Sequence, residues 1–302
     1  MKVFVVGATG YIGSNLVPYL VAKGHVVRAG VRATGPIDRQ PGVTDYSKID
    51  LLVPDTYQHL LRDVDAIFYL VGPGSAVRHQ RVGSLVQEYL YSLTRFLETN
   101  ADVANARVIF ASSGGTIYGS GERIPLPETH PIRPISPYGQ LNALSESLLA
   151  HFRHRYSSPH VSLRISNPYG GARSSRKSDQ GVIDIFAKRA LTAEPVEVRG
   201  GGGAVRDYLF MDDLLAGFGA MLGIDNPPEC VNMGSGVGTS LERVIHLIER
   251  ASGRKLDRID RPRNELDIDY SVLDISRARH LVGWYPRVAI DEGISAVIRN
   301  LR

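Results

Sequence analysis

The stretch Lys2-Val3-Phe4-Val5-Val6-Gly7-Ala8-Thr9-Gly10-Tyr11-Ile12-Gly13 decides how the chain is read. An apolar run ended by glycine reads as a short buried strand. The following residues, Ser14 to Lys23, carry Leu16, Val17 and Leu20 at helical spacing. Gly24 stops that helix and His25 to Val31 supplies a second strand, so the chain opens with a βαβ unit around a glycine-rich turn. Glycine is needed where backbone approaches a pyrophosphate and where a helix packs tightly on a sheet, and the helix start offers free N–H groups to phosphate oxygens. Gly7, Gly10, Tyr11, Ile12 and Gly13 are therefore the candidate dinucleotide turn.

The end of the second strand bears on which dinucleotide is taken. A site for NAD places an acidic side chain there for the ribose hydroxyls, whereas an arginine suits the 2′-phosphate of NADP. Here the strand ends Gly30-Val31-Arg32 without Asp or Glu. Arg32 is expected to hold that phosphate or to stack on adenine, and the cofactor is NAD or NADP. Asp50 and Leu51 end another strand-like segment and are expected near the adenine.

Further along, strands at Asp65–Val71, Arg107–Ser112 and Val161–Ile165 alternate with helices at Leu85–Asn100 and Tyr138–Arg155. Such alternation predicts a parallel sheet covered on both faces. From about Asn167 the pattern loosens. Arg173–Asp179 reads as a polar, basic loop and Gly200–Gly203 as a tight turn between strands, before helical periodicity returns at Ser240–Ala251 and Asp291–Asn300. Residues 1–166 are expected to form the cofactor-binding domain. Residues 167–302 are expected to form a smaller lobe closing over the sheet's ligand edge, with some segments returning to the first domain.

At 302 residues the chain is long enough for a main domain with a lobe. Its 35 Lys and Arg against 31 Asp and Glu are scattered, with no basic stripe to mark a nucleic-acid partner. Cys230 is the single cysteine, which excludes an intrachain disulfide and fits a cytoplasmic location. No stretch approaches the roughly 20 apolar residues of a membrane span, and the first residues do not read as a signal peptide, so no membrane partner is expected. The histidines form no H-x-x-H or H-E-x-x-H pattern, and no metal site is expected.

Six motifs in order carry a resemblance that spans nearly the whole chain: Gly7–Gly13, Ser112–Gly119, Ser136–Gly139, Leu163–Gly170, Arg206–Tyr208 and Val231–Gly236. The chain resembles the extended short-chain dehydrogenase/reductase family in its nucleotide-sugar epimerase/dehydratase branch. The resemblance implies an α/β fold, a Rossmann-like doubly wound parallel sheet with a smaller mixed α/β C-terminal substrate lobe. It implies NAD or NADP on the sheet and a nucleoside-diphosphate sugar in the cleft. By motif match Tyr138 is the base that takes a sugar hydroxyl proton, Thr116 and Asn142 complete the catalytic group, and Ser112, Tyr138, Asn142 and Pro168 touch the cofactor. Thr116, Asn167, Gln180, Val182, Arg206 and Arg263 are the substrate-binding residues it implies. A homodimer is also implied, through the helix carrying Tyr89 and Tyr91, with Leu93, Phe96, Leu144 and Leu148 in its seam.

Two positions depart from the family pattern. Asn142 stands where a lysine is expected, and Gly114 where a Ser or Thr is expected. A phenol with an ordinary pKa near roughly 10 needs nearby positive charge to act as a base near neutrality, which asparagine does not supply. Ser112, Ser113 or Thr116 is left to provide the hydroxyl, with Thr116 preferred. The expectation is an NAD(P)-dependent enzyme with atypical catalytic residues Asn142 and Gly114. The leading activity is epimerisation of a UDP- or dTDP-hexose through a 4-keto sugar. The alternatives are an NADPH-dependent 4-keto-sugar reductase and a catalytically impaired binding homologue.

Overall fold

Strands that read as continuous apolar runs belong in a sheet buried on both faces, and that is where they lie. In the computed structural model, residues 1–32, 42–72, 82–120, 125–171, 181–263 and 266–302 are described. The first half contains β1 (Lys2–Val6), α1 (Gly13–Ala22), β2 (Val26–Arg32), β3 (Val43–Ile49), a one-turn α2 (Gln58–Leu61), β4 (Ala66–Tyr69) and a one-turn α3 (Val82–Leu85). It continues through α4 (Tyr91–Val103), β5 (Arg107–Ser113), α5 (Pro137–Tyr156) and β6 (Val161–Ile165). The second half holds β7 (Asn167–Tyr169), α6 (Val182–Thr192), β8 (Val196–Arg199), β9 (Val205–Phe210), α7 (Met211–Leu222), β10 (Cys230–Met233) and β11 (Gly238–Ser240). It ends with α8 (Leu241–Ser252), β12 (Arg258–Arg261), β13 (Tyr270–Ser271) and α9 (Ile290–Leu301).

Seven strands form one parallel sheet in the order β3-β2-β1-β4-β5-β6-β10. All residues of β4 and β6 are buried. One face is covered by α1 and α7 through Leu16, Val17, Leu20, Leu214, Phe218 and Met221. The other is covered from α4 and α5 by Leu93, Phe96, Leu97, Leu149 and Phe152. Strand order reverses between β1 and β4, and the carboxyl ends of strands at such a switch point leave a crevice for a ligand. The smaller lobe packs α6, α8 and α9 around a third core, with β9 joined to β7, β11 and β13, and β12 paired with β8. Strand β10 lies on the large sheet beside β6, so the chain returns there after entering the lobe.

Two sequence expectations change here. The loosened pattern after Asn167 hides two regular helices, α6 and α7. In α7, Gly217 and Gly219 weaken the helical signal, and both face a closely packed ring: a Cβ at Gly217 would sit 3.2 Å from Trp284 Cε2, and one at Gly219 2.8 Å from the Tyr19 hydroxyl. Leu93 and Phe96, expected in a dimer seam, are 1% and 0% exposed because their side chains are spent in the chain's own core. Among the described residues no helix is long and apolar enough to cross a membrane.

His160, buried beside β5, accepts a hydrogen bond at Nδ1 from the Val108 amide, 3.1 Å away. Burial, helped by the Arg153 charge, pushes its pKa down to about 4. The unfolded imidazole binds a proton near roughly pH 6.5, so the native state gains from a neutral His160 above that pH and loses the gain as pH falls toward 4. A His160→Gln variant is expected to flatten the stability loss between pH 6.5 and 4 in chemical denaturation. An unchanged slope would assign the acid sensitivity elsewhere.

Candidate active site

A cleft of about 1090 Å³ runs from the glycine turn, along the carboxyl ends of the large sheet, to the smaller lobe. Its lining includes Gly7, Gly10, Tyr11, Ile12, Gly13, Arg32, Asp50 and Leu51 at the expected dinucleotide end. Ser112, Ser113, Thr116, Tyr138 and Asn142 stand in the middle, and Asn167, Pro168, Val182 and Arg206 on the lobe side. Gln180 lies outside the described residues. Arg263 does not line the cleft: its guanidinium pairs with Asp269 at 2.8 Å and donates to the Asp267 carbonyl at 2.9 Å.

The turn is shaped to let a phosphate approach backbone. Gly7 has φ +89°, and a Cβ at Gly13 would collide with the Gly7 carbonyl oxygen, so two of the three glycines are sterically required. The amino end of α1 follows at Gly13. Ser166 Oγ is buried in the cleft wall with no hydrogen-bond partner among the described residues, a polar atom placed for a ligand. These features fit a dinucleotide lying across the carboxyl ends of the strands. At the end of the cleft where the sequence leads one to expect the adenine, Arg32 faces Tyr89, whose phenol makes polar contacts with both Arg32 and Glu88.

Tyr138 opens α5, whose amino end is capped by Ser136 Oγ accepting from the Gly139 amide at 3.1 Å. Burial pushes the Tyr138 phenol up from its ordinary value, and polar contacts with the side chains of Ser113 and Asn142 pull it back in part. Thr116 Oγ1 donates to Ser113 Oγ at 2.9 Å, so Ser113, the less favoured of the sequence candidates, stands between Thr116 and the phenol. Beneath them Ser112 Oγ donates to Glu146 Oε1 at 2.5 Å, and Glu146 is paired with the buried Arg164 at 2.8 Å. On the lobe side Asn167 Nδ2 donates to the Asp207 carbonyl at 2.9 Å, and Arg206 is adjacent on β9.

The atypical catalytic roles expected of Asn142 and Gly114 are corrected. A tyrosine of the ordinary kind, Tyr57, is positioned near the cofactor end, its hydroxyl 3.5 Å from the carbonyl of the cleft residue Leu51. Asn142 commits its amide to the Tyr138 backbone carbonyl at 2.9 Å. Gly114 contributes no group at all: a Cβ there would stand 2.6 Å from Leu273 Cδ1 and 2.8 Å from the Arg164 carbonyl, so the position is glycine for packing. Tyr57 itself is fully buried, its ring stacked on Phe96 at 5.4 Å, and it braces the wall behind Leu51. Tyr138 lines the cleft, whereas Tyr57 does not.

Sequence reading passed over Ser166, Glu146 and Asp184. Ser166 carried a signal in its place at the carboxyl end of a sheet strand. Asp184, three residues after the glycine that caps α6, carried one as well. Glu146 carried none, because its partner Arg164 lies on a different element. No group of three or more His, Cys, Asp or Glu side chains among the described residues is arranged to hold a metal ion.

The model of the NAD dependent epimerase/dehydratase family matches residues 3–234. UDP-glucose 4-epimerase of Mycolicibacterium smegmatis is 30% identical over 310 residues, covering 100% of this chain and 99% of that one. The dTDP-4-dehydro-6-deoxyglucose reductase of Escherichia coli is 28% identical over 318 residues, with 99% and 97% covered. The crystal structure of UDP-glucose 4-epimerase from Thermotoga maritima, solved with UDP-glucose, superposes with a TM-score of 0.92 at 27% identity, covering 99% of this chain and 98% of that one. With the glycine turn, the parallel sheet and a match across most of its length, this chain belongs to the NAD dependent epimerase/dehydratase family, whose NAD(P)-dependent chemistry acts on nucleotide sugars.

Proposed function

We propose that the protein is a nucleotide-sugar 4-epimerase that inverts C4 of a UDP- or dTDP-hexose through a 4-keto intermediate, with Tyr138 as the base. The observation that carries this reading is the single cleft joining the glycine turn to Asn167 and Arg206, with the Tyr138 phenol between them. The likeness to the mycobacterial epimerase along the full chain supports it.

When bound, the dinucleotide would supply a two-electron acceptor and donor and, in its oxidised form, a positive charge. Tyr138 takes the O4 proton as C4 gives up its hydrogen with the bonding pair. It returns the proton once C4 has regained hydrogen on its other face. Ser113 contacts the phenol and favours its ionised form, which offsets part of the burial that opposes it. Arg206 offers a planar fork to the diphosphate, and Asn167 is fixed beside it by the Asp207 carbonyl. Holding the hexose between these groups converts a bimolecular reaction into one within a single assembly.

The test is to denature the purified protein, identify the released dinucleotide and nucleotide sugar by mass spectrometry, and then follow UDP-glucose and UDP-galactose by NMR. Interconversion without added reductant is the expected result. Consumption of a 4-keto nucleotide sugar only with NADPH would establish the reductase instead.

That second reading is favoured by one observation, Arg32 at the end of β2 and the cleft edge. A charge-assisted contact of about 1.5–3 kcal/mol with a 2′-phosphate corresponds to roughly 10- to 100-fold in affinity. Arg32→Asp is therefore expected to weaken NADP⁺ binding by that factor and to leave NAD⁺ within about threefold, measured by calorimetry. Equal losses for both would remove Arg32 from the 2′ position.

A further inference from the structure

The glycine turn is tied to the smaller lobe by one pair of side chains. Tyr11, in the middle of the turn, donates its hydroxyl proton to Asp184 Oδ2 at 2.5 Å, across 173 residues of sequence. The same hydroxyl accepts from the Gly171 amide at 3.1 Å. Asp184 accepts at Oδ1 from the Gly170 amide at 2.9 Å, and it also accepts from the Gly181 amide. Both side chains are buried, at 9% and 8% exposed.

Part of this is explained by helix capping. Gly181 is the N-cap of α6 and Asp184 its third residue, so a carboxylate reaching back to the cap amide is half of a capping box. Capping requires neither the Tyr11 hydroxyl nor the Gly170 amide. Burial raises the pKa of the Asp184 carboxyl, and its donors oppose that rise. Burying an acid here costs free energy that a cap exposed to water would avoid.

What the extra bonds join are the two sides of the cleft. Tyr11 belongs to the backbone that faces the pyrophosphate, and its carbonyl is further held by Asn15 Nδ2 at 2.7 Å. Gly170 directly follows β7, whose Asn167 and Pro168 line the lobe side, and Gly181 precedes the lining residue Val182. We infer that Tyr11 and Asp184 act as positioning residues, a latch that orders the dinucleotide turn and the sugar-nucleotide wall together, so that each ligand strengthens binding of the other. This rests on the nucleotide-sugar reading above. A ligand that orders a shared element spares the second ligand that cost, and the coupling is reciprocal.

The experiment measures the affinity of UDP by calorimetry with and without saturating NAD⁺. NAD⁺ is expected to tighten UDP by about 5- to 10-fold in the unmodified protein and by less than about 2-fold in Tyr11→Phe, which leaves the cap of α6 intact. Asp184→Asn is expected to reduce the ratio as well, and the double variant to reduce it no further than Tyr11→Phe alone. A Tyr11→Phe ratio equal to that of the unmodified protein overturns the latch, even if the melting temperature falls, because a merely structural role lowers stability without changing the ratio.

Hydrogen exchange on the unmodified protein gives a second reading that needs no variant. NAD⁺ alone is expected to slow exchange of the Gly170, Gly171 and Gly181 amides, and unchanged protection there would overturn the latch. Failure of the nucleotide-sugar reading looks different: the unmodified protein would then bind NAD⁺ but no UDP in either state, and both proposals would fall together.

Discussion

Replacing Tyr138 by phenylalanine is expected to lower kcat by roughly 100- to 10,000-fold while leaving dinucleotide affinity within about twofold. The phenol lines the cleft and carries no backbone role, since the Asn142 bond is to the Tyr138 carbonyl, which phenylalanine retains. The loss should fall on kcat, because proton removal from the sugar occurs only in the reacting complex. Tyr57→Phe is the matched control. Its hydroxyl is sealed against Thr99 at 3.3 Å and Leu51 at 3.5 Å, so that change should lower stability modestly and leave kcat near that of the unmodified protein. The reverse pattern, with turnover stopped by Tyr57→Phe and kept by Tyr138→Phe, would move the base to Tyr57. Ser113→Ala removes one of the contacts that favour the ionised phenol, and the acidic limb of kcat/KM should shift to higher pH.

The largest effect on stability is expected at Glu146. Its carboxylate takes three bonds from Arg164, with Nε 3.1 and 3.0 Å from its two oxygens and Nη2 at 2.8 Å, plus the Ser112 hydroxyl at 2.5 Å. Arg164 also donates to the Tyr118 hydroxyl at 2.9 Å and the Glu128 carbonyl at 3.0 Å, and the Tyr118 hydroxyl in turn donates to Asn232 Oδ1 at 2.7 Å. Glu146→Leu leaves a buried guanidinium without its counter-charge, which costs about 3–5 kcal/mol. Because the pair itself is expensive to desolvate, the double variant Glu146→Leu/Arg164→Met should recover most of that loss. Denaturant titration of the two variants checks this, and a single variant costing less than about 1 kcal/mol would show that water reaches the pair.

Much of the fold was legible because its signals are local. The apolar run from Val3 to Val6, the glycine turn and the Leu16-Val17-Leu20 face declare a strand, a phosphate-facing turn and a helix within one βαβ unit, and β6 was bounded correctly at Val161–Ile165. Where a residue's reason lies far along the chain, the sequence is silent. Gly217 and Gly219 look like helix breakers until Trp284 and Tyr19 are packed against them. Gly114 looks like a lost catalytic hydroxyl until Leu273 occupies the space its side chain would need. Leu93 and Phe96 show an apolar helix face, and periodicity does not say whether a second chain or the chain's own sheet covers it. At the site, motif order placed Tyr138, Asn167 and Arg206 along one cleft, whereas the Tyr11–Asp184 bond needed the fold to become visible.

The most direct measurement is the fate of deuterium at C4. UDP-[4-²H]galactose is incubated with the protein and saturating NAD⁺ in ordinary water, and the UDP-glucose formed is examined by NMR and mass spectrometry. Inversion through a 4-keto sugar within one closed site requires the product to keep its deuterium at C4, with Tyr138→Phe forming it at least about 100-fold more slowly. Inverted product in which solvent hydrogen has replaced deuterium, or no inversion of either UDP- or dTDP-hexose by a protein that binds both ligands, would contradict it.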